Sequence, residues 1–209
     1  MKKFWTTAFL FGFLAILPAG CGIFCNDSCG CSPDFPEQSV RVRSFEVLTF
    51  STGGQQISPN LPQPFDQVVK GFRIKEFDLI SEVIREAESP GILGFAFACS
   101  PPPLKVKEKL TQLKIINLRE VQLGNGMIWE PGQNITEHFG MNSFYNGNLL
   151  PIQQYLNNGL TLFLDDLYKV GLRTNPGKTL DLDISLTLVL EGGKEFLIGP
   201  EKLRIQGNE

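Results

Sequence analysis

Strict alternation of apolar and polar positions is clearest near the C-terminus. Leu180, Leu182, Ile184, Leu186, Leu188 and Leu190 occupy every second place. In an extended chain successive side chains point to opposite faces, so this run predicts a half-buried strand with one solid aliphatic face. Gly192-Gly193 then predicts a hairpin into Glu195–Ile198, with Leu203–Ile205 as the closing strand. Upstream, Thr174-Asn175-Pro176-Gly177-Lys178 reads as a turn after a strand over Leu167–Arg173. Val40 to Phe50 alternates through Val40, Val42, Phe45, Val47 and Phe50, with one slip of phase, and Gly53–Pro64 follows as a Gly/Gln/Pro loop.

The middle of the chain is less regular. Phe65, Val68, Val69 and Phe72 suit a helix, whereas Phe72, Ile74, Phe77, Leu79 and Val83 suit a strand with a slip. Strands on both sides favour a strand over Phe72–Ile84. Ile92–Cys99, bounded by Pro90-Gly91 and Pro101-Pro102-Pro103, predicts a buried strand, and Leu110–Leu123 alternates through Leu113, Ile115, Leu118 and Val121. Gly124 to Gly159 breaks the pattern: it is a long Gly- and Asn-rich loop carrying Trp129, His138, Phe139, Phe144, Tyr145 and Tyr155. Within it, Pro151 to Asn158 predicts a short helix that starts at a proline and stops at Gly159. Together these elements predict a mainly all-β fold, an antiparallel immunoglobulin-like β-sandwich with one long loop and one short helix.

The N-terminus carries a pattern of another kind. Lys2 and Lys3 precede an apolar run from Phe4 to Leu17, and Pro18-Ala19-Gly20 leads into Cys21. The run is too short for a membrane-spanning helix and suits the core of a signal peptide. Small residues before a cysteine predict lipoprotein processing, with residues 1–20 removed and Cys21 acylated. An ordinary secretory peptide cleaved near Ala19 is the alternative. Acyl chains on Cys21 would make the membrane a partner through the lipid, since each buried methylene adds about 0.8 kcal/mol.

Five cysteines, Cys21, Cys25, Cys29, Cys31 and Cys99, are an odd number for an oxidising compartment. Assigning Cys21 to a thioether leaves Cys25, Cys29, Cys31 and Cys99 as disulfide candidates, with the partner of Cys99 open. Disulfides are expected over zinc in an exported chain, because the C-x3-C-x-C spacing lacks matched pairs and a nearby His. The expected organisation is a signal peptide over 1–20, a Cys-rich tether over 21–38 and one β-sandwich domain over 39–209. The net charge of −3 becomes more negative once Lys2 and Lys3 are removed, which argues against nucleic acid as a partner. With 17 Phe the chain can fill a core.

Catalytic signals are sparse. His138 is the only histidine, so any Ser-His or Cys-His system must run through it. Asp165 and Asp166 are neighbours that point apart on a strand. Asp181 and Asp183 share a face opposite the leucines and read as outward sheet polarity. Lys105, Lys107 and Lys109 read as a solvated face before a strand, and Asn134-Ile135-Thr136 matches the glycosylation pattern. No glycine-rich phosphate loop, metal site or cofactor site is expected. Trp129, Phe144 and Tyr145 are the candidate contacts, for stacking on sugars or anchoring a protein. The alternative is that these rings fold back and complete the core.

Three blocks carry a resemblance: Phe97-Ala98-Cys99-Ser100-Pro101-Pro102 with Leu113-Lys114-Ile115-Ile116, then Pro131 to Phe139, then Leu180–Leu190 with Gly192-Gly193-Lys194. In these the chain resembles a family of small uncharacterised Bacteroidetes envelope lipoproteins. The resemblance implies a lipid-anchored β-sandwich of the cell envelope, expected at the outer membrane, and it brings no activity. Gly22-Ile23-Phe24 after Cys21 leaves the membrane face open. The expected function is a non-enzymatic binding or structural module with a glycan or an envelope protein as partner; the alternative is a carbohydrate-binding accessory lipoprotein that uses the aromatic loop.

Overall fold

A computed structural model describes residues 38–80, 104–143 and 147–207. Cys21, the cysteines Cys25, Cys29, Cys31 and Cys99, the strand expected over Ile92–Cys99, and the rings of Phe144 and Tyr145 lie outside the described residues.

The strands are β1 (Ser39–Ser51), β2 (Gln63–Pro64), β3 (Val68–Ile80), β4 (Lys105–Val106), β5 (Leu110–Asn117), β6 (Val121–Gln122), β7 (Ile128–Trp129), β8 (Phe139–Ser143), β9 (Leu150–Pro151), β10 (Tyr168–Leu172), β11 (Leu180–Leu190) and β12 (Glu195–Gln206). A short helix, α1 (Ile152–Tyr155), follows β9. One sheet has the order β4-β1-β3-β10-β8-β9 and the other β2-β12-β11-β5, with β6-β7 as a separate ribbon. Pairing is antiparallel except for the two-residue pairs β1–β4 and β12–β2. The fold is an all-β sandwich.

The alternating apolar residues supply the inner faces. The six alternating aliphatic residues of β11, Leu180, Leu182, Ile184, Leu186, Leu188 and Leu190, are buried, while Asp181 is exposed and ion-paired to Arg204 at 3.0 Å. Val40, Val42 and Phe45 of β1 are buried too, and the slip of phase between Val42 and Phe45 is a register shift against β3. A bulge of this kind inserts one residue and turns the next side chain back to the core. Phe45 meets Phe196 of β12 edge-on, with centroids 5.0 Å apart, and so joins the two sheets. Contacts of this geometry add to the area they bury.

Three features differ from the sequence pattern. β3 begins at Val68 rather than Phe72, because residues 68–72 are buried on both faces of a central strand and do not alternate. The Thr174–Lys178 turn does not close a hairpin: β10 lies in the six-stranded sheet and β11 in the other, so the turn carries the chain between layers. Gly124 to Gly159 is not one loop. It contains β7, a 3-10 turn (Thr136–His138), β8, β9 and α1, and β8 sits inside the larger sheet with Phe139 to Asn142 buried in a row. Here too, burial on both faces erases the period of two. The helix lies where Pro151 and Gly159 predict it, and Gly159 takes φ +69.

Candidate functional site

At one end of the sandwich the chain crosses from the edge of the four-stranded sheet to the interior of the six-stranded one. Asn117, at the end of β5, is buried, and its Nδ2 donates to the carbonyls of Arg119, Trp129 and Glu130. Its backbone N–H donates to Gln133 O and its carbonyl accepts from Gly132 N–H. These bonds gather the 119–133 loop onto the strand end. Thr136 then fixes the crossing: its Oγ1 accepts from Ile115 N–H at 2.8 Å and is held by Asn134 Oδ1 at 2.6 Å. The 3-10 turn follows, and the carbonyl of His138 accepts from Arg173 N–H at 3.0 Å.

This crossing leaves an open groove of about 500 Å³. Phe139 and Ile152 form its apolar floor, and Asn134, Glu137, Gln153 and Arg173 line it with polar groups. Pro151 contributes on the β9 side. The Arg173 stem lies across β8, where a Cβ on Gly140 would meet Arg173 Cγ at 2.9 Å. On the other side of the 3-10 turn is a smaller recess of about 150 Å³, bordered by Met127, Trp129, His138 and Pro176.

Trp129 corrects an expectation. Its ring is 0% exposed, packed in the core with His138 tilted over it at 4.9 Å, so it offers no stacking face to solvent. The core-completing alternative describes it. The cause is the β6–β7 ribbon, in which Trp129 pairs with Val121 and turns inward while its neighbour Ile128 stays exposed.

The titratable candidates do not converge on a reacting centre among the described residues. His138 Nε2 lies 3.6 Å from Glu137. Asp165 is exposed, whereas Asp166 accepts a hydrogen bond from Tyr168 OH at 3.0 Å. Asp181 and Asp183 meet Arg119 and Arg204 on the outer face of the sheet. Lys107 and Lys109 point to solvent, alternating with buried Val106 and Leu110. No group of three or more His, Cys, Asp or Glu that could hold a metal is found among the described residues.

Sequence reading missed the polar groove. Asn134 stands in a glycosylation pattern and, with Glu137, in the block from Pro131 to Phe139, but nothing in the sequence sets Gln153 or Arg173 apart, since no local pattern brings together side chains from three separate segments.

Comparison with family models and with curated proteins finds no match. Among solved structures the chain is similar to the C-terminal domain of the Streptococcus agalactiae AgI/II polypeptide BspA, at 9% identity and a TM-score of 0.26. It is also similar to the C-terminal domain of the Streptococcus pyogenes antigen I/II-family protein AspA, at 12% identity and a TM-score of 0.25. Each alignment covers 78% of this chain and 49% or 46% of the other, so the chain spans about half the length of the structures it matches.

Proposed function

We propose that the protein is a lipid-anchored binding module of the cell envelope that acts through the groove between the 3-10 turn, β8, β9 and α1. One observation carries this reading: a groove of about 500 Å³, a size that suits a small ligand, with an apolar floor and a polar lining from three chain segments. Among the described residues its lining includes one carboxylate, Glu137. The anchor rests on Lys2, Lys3, the apolar run Phe4 to Leu17 and the approach to Cys21.

Carbohydrate binding is the second reading. With Trp129 buried, it is favoured by the groove's amides and carboxylate, which suit hydroxyl groups, rather than by an aromatic platform.

Two measurements test the proposal. Intact mass of the protein from membranes should show a chain that starts at Cys21 with acyl groups, lost in a Cys21→Ser variant; an unmodified chain would remove the anchor. NMR titration of the labelled mature chain with a panel of neutral and acidic oligosaccharides and short peptides should move resonances of residues 134–139, 150–153 and 173 together. Shifts elsewhere, or none, would remove the groove as the site.

A further inference from the structure

We infer that the groove selects a carboxylate-bearing saccharide and that Arg173 is the residue that reads the carboxylate. This rests on the proposed binding role and adds the class of ligand. Among the described residues, Arg41, Arg43, Arg73, Arg119 and Arg204 each sit in an ion pair, with Glu108, Asp78, Glu46, Asp183 and Asp181 respectively. Arg173 is the exception: its backbone N–H is bonded to His138 O, but its guanidinium meets no carboxylate among the described residues. Among the described residues, the one arginine without an acidic partner is also the one that lines the groove. A guanidinium presents a planar fork of donors that matches a carboxylate with two parallel bonds, and such charge-assisted bonds are the strong ones.

The remaining polar groups point to the rest of the ligand. Thr136 Oγ1 and Asn134 Oδ1 are occupied within the protein, which leaves the Asn134 NH2 and the Gln153 amide to bind outward. Glu137 has an 82% exposed side chain, and its carboxylate can accept only from donors such as hydroxyls. A guanidinium, two amides and one acceptor carboxylate over an apolar floor match a ring that carries one carboxylate and several hydroxyls. An extended peptide that ends in a carboxylate is disfavoured, because strand addition needs a free edge. The edge here is β9, only Leu150 and Pro151, and Pro151 has no N–H to donate.

The test uses the mature chain and four probes: tri-galacturonic acid, its fully methyl-esterified form, a neutral trisaccharide of glucose, and an acetylated pentapeptide with a free C-terminal carboxylate. Affinities are measured by calorimetry for the native protein, Arg173→Gln and Gln153→Ala. Removal of the Arg173 head leaves the backbone bond to His138 intact, and near-ultraviolet circular dichroism checks the fold. The expected result is tighter binding of tri-galacturonic acid than of its ester by about tenfold or more, abolished in Arg173→Gln and only weakened in Gln153→Ala. Equal affinity for acid, ester and neutral sugar, unchanged in Arg173→Gln, would overturn the carboxylate assignment and leave a neutral-glycan module standing. Binding of the peptide alone, lost in Arg173→Gln, would overturn the saccharide class. No binding of any probe, with resonances of the groove unmoved, would overturn the inference and count against the groove itself.

Discussion

The ammonium of Lys70 lies 2.9 Å from Glu201 Oε2, and the two residues belong to opposite sheets. The Lys70 side chain is 2% exposed, and its other partner is Thr49 Oγ1 at 2.9 Å. A lysine buried this deeply in the sandwich is tolerated because its charge is paired and hydrogen-bonded, which offsets part of the cost of leaving water. The pair joins β3 to β12 across 131 positions of chain.

The two ends of this pair should respond differently to mutation. Glu201→Ala strands a buried ammonium and is expected to cost about 3 kcal/mol, the low end for breaking a buried pair, because Glu201 is itself partly exposed. Lys70→Met fills the same space without a charge and should stay within about 1 kcal/mol of the parent. Urea denaturation of both variants checks this, and a larger loss for Lys70→Met would reverse the argument.

Stability should rise and then fall on the alkaline side. Burial lowers the Lys70 pKa from 10.5, and burial likewise lowers that of Lys169. The folded state then releases these protons before the unfolded state does, so stability increases as the pH climbs through the folded values towards 10.5. Tyr168 shifts upward from 10.0, mainly by burial and then by the charge of Asp166. Above pH 10 its unfolded form ionises first, so stability is lost there. Melting curves between pH 7 and 11 should show both limbs. Lys70→Met should flatten the rise and Tyr168→Phe the fall.

Trp129 should behave as a core residue. Trp129→Ala is expected to cost about 3–5 kcal/mol through the lost burial and the cavity. The indole Nε1 is buried and meets no acceptor among the described residues, so Trp129→Phe gives up no hydrogen bond to them and should cost about 1.5 kcal/mol or less. Tryptophan fluorescence of the native protein should resist quenching by iodide. Ready quenching at this site would mean an exposed ring.

The β6–β7 turn packs on the Thr174–Lys178 turn, and its two glycines have different roles. A Cβ on Gly124 would lie 2.7 Å from the Gly177 backbone, so Gly124→Ala should cost about 1–3 kcal/mol by forcing the loops apart. Gly126 has φ +85 with open space around it, so Gly126→Ala should cost only about 1 kcal/mol of backbone strain. Thermal unfolding of the two variants gives the order, and an inverted order would mean that the loops separate freely.

Period-two alternation identifies a strand wherever one face is buried and the other is wet, and this condition holds for β1, β5 and β11. The turn to β12 was legible in Gly192-Gly193, which adopt φ +91 and +85, and the short helix in the span from Pro151 to Gly159. Those features depend on neighbours a few residues away, which is why a linear pattern carries them. The start of β3 and Phe139 to Asn142 of β8 lie inside the larger sheet and are buried on both sides, so their residues show no alternation to read. The sheet that each strand joins, the passage of Thr174–Lys178 between layers and the burial of Trp129 depend on which strands meet across the fold. The same is true of the groove. Arg173 is distinguished only by what it does not touch, and Lys70 only by a carboxylate far along the chain, so tertiary structure alone could single out either residue.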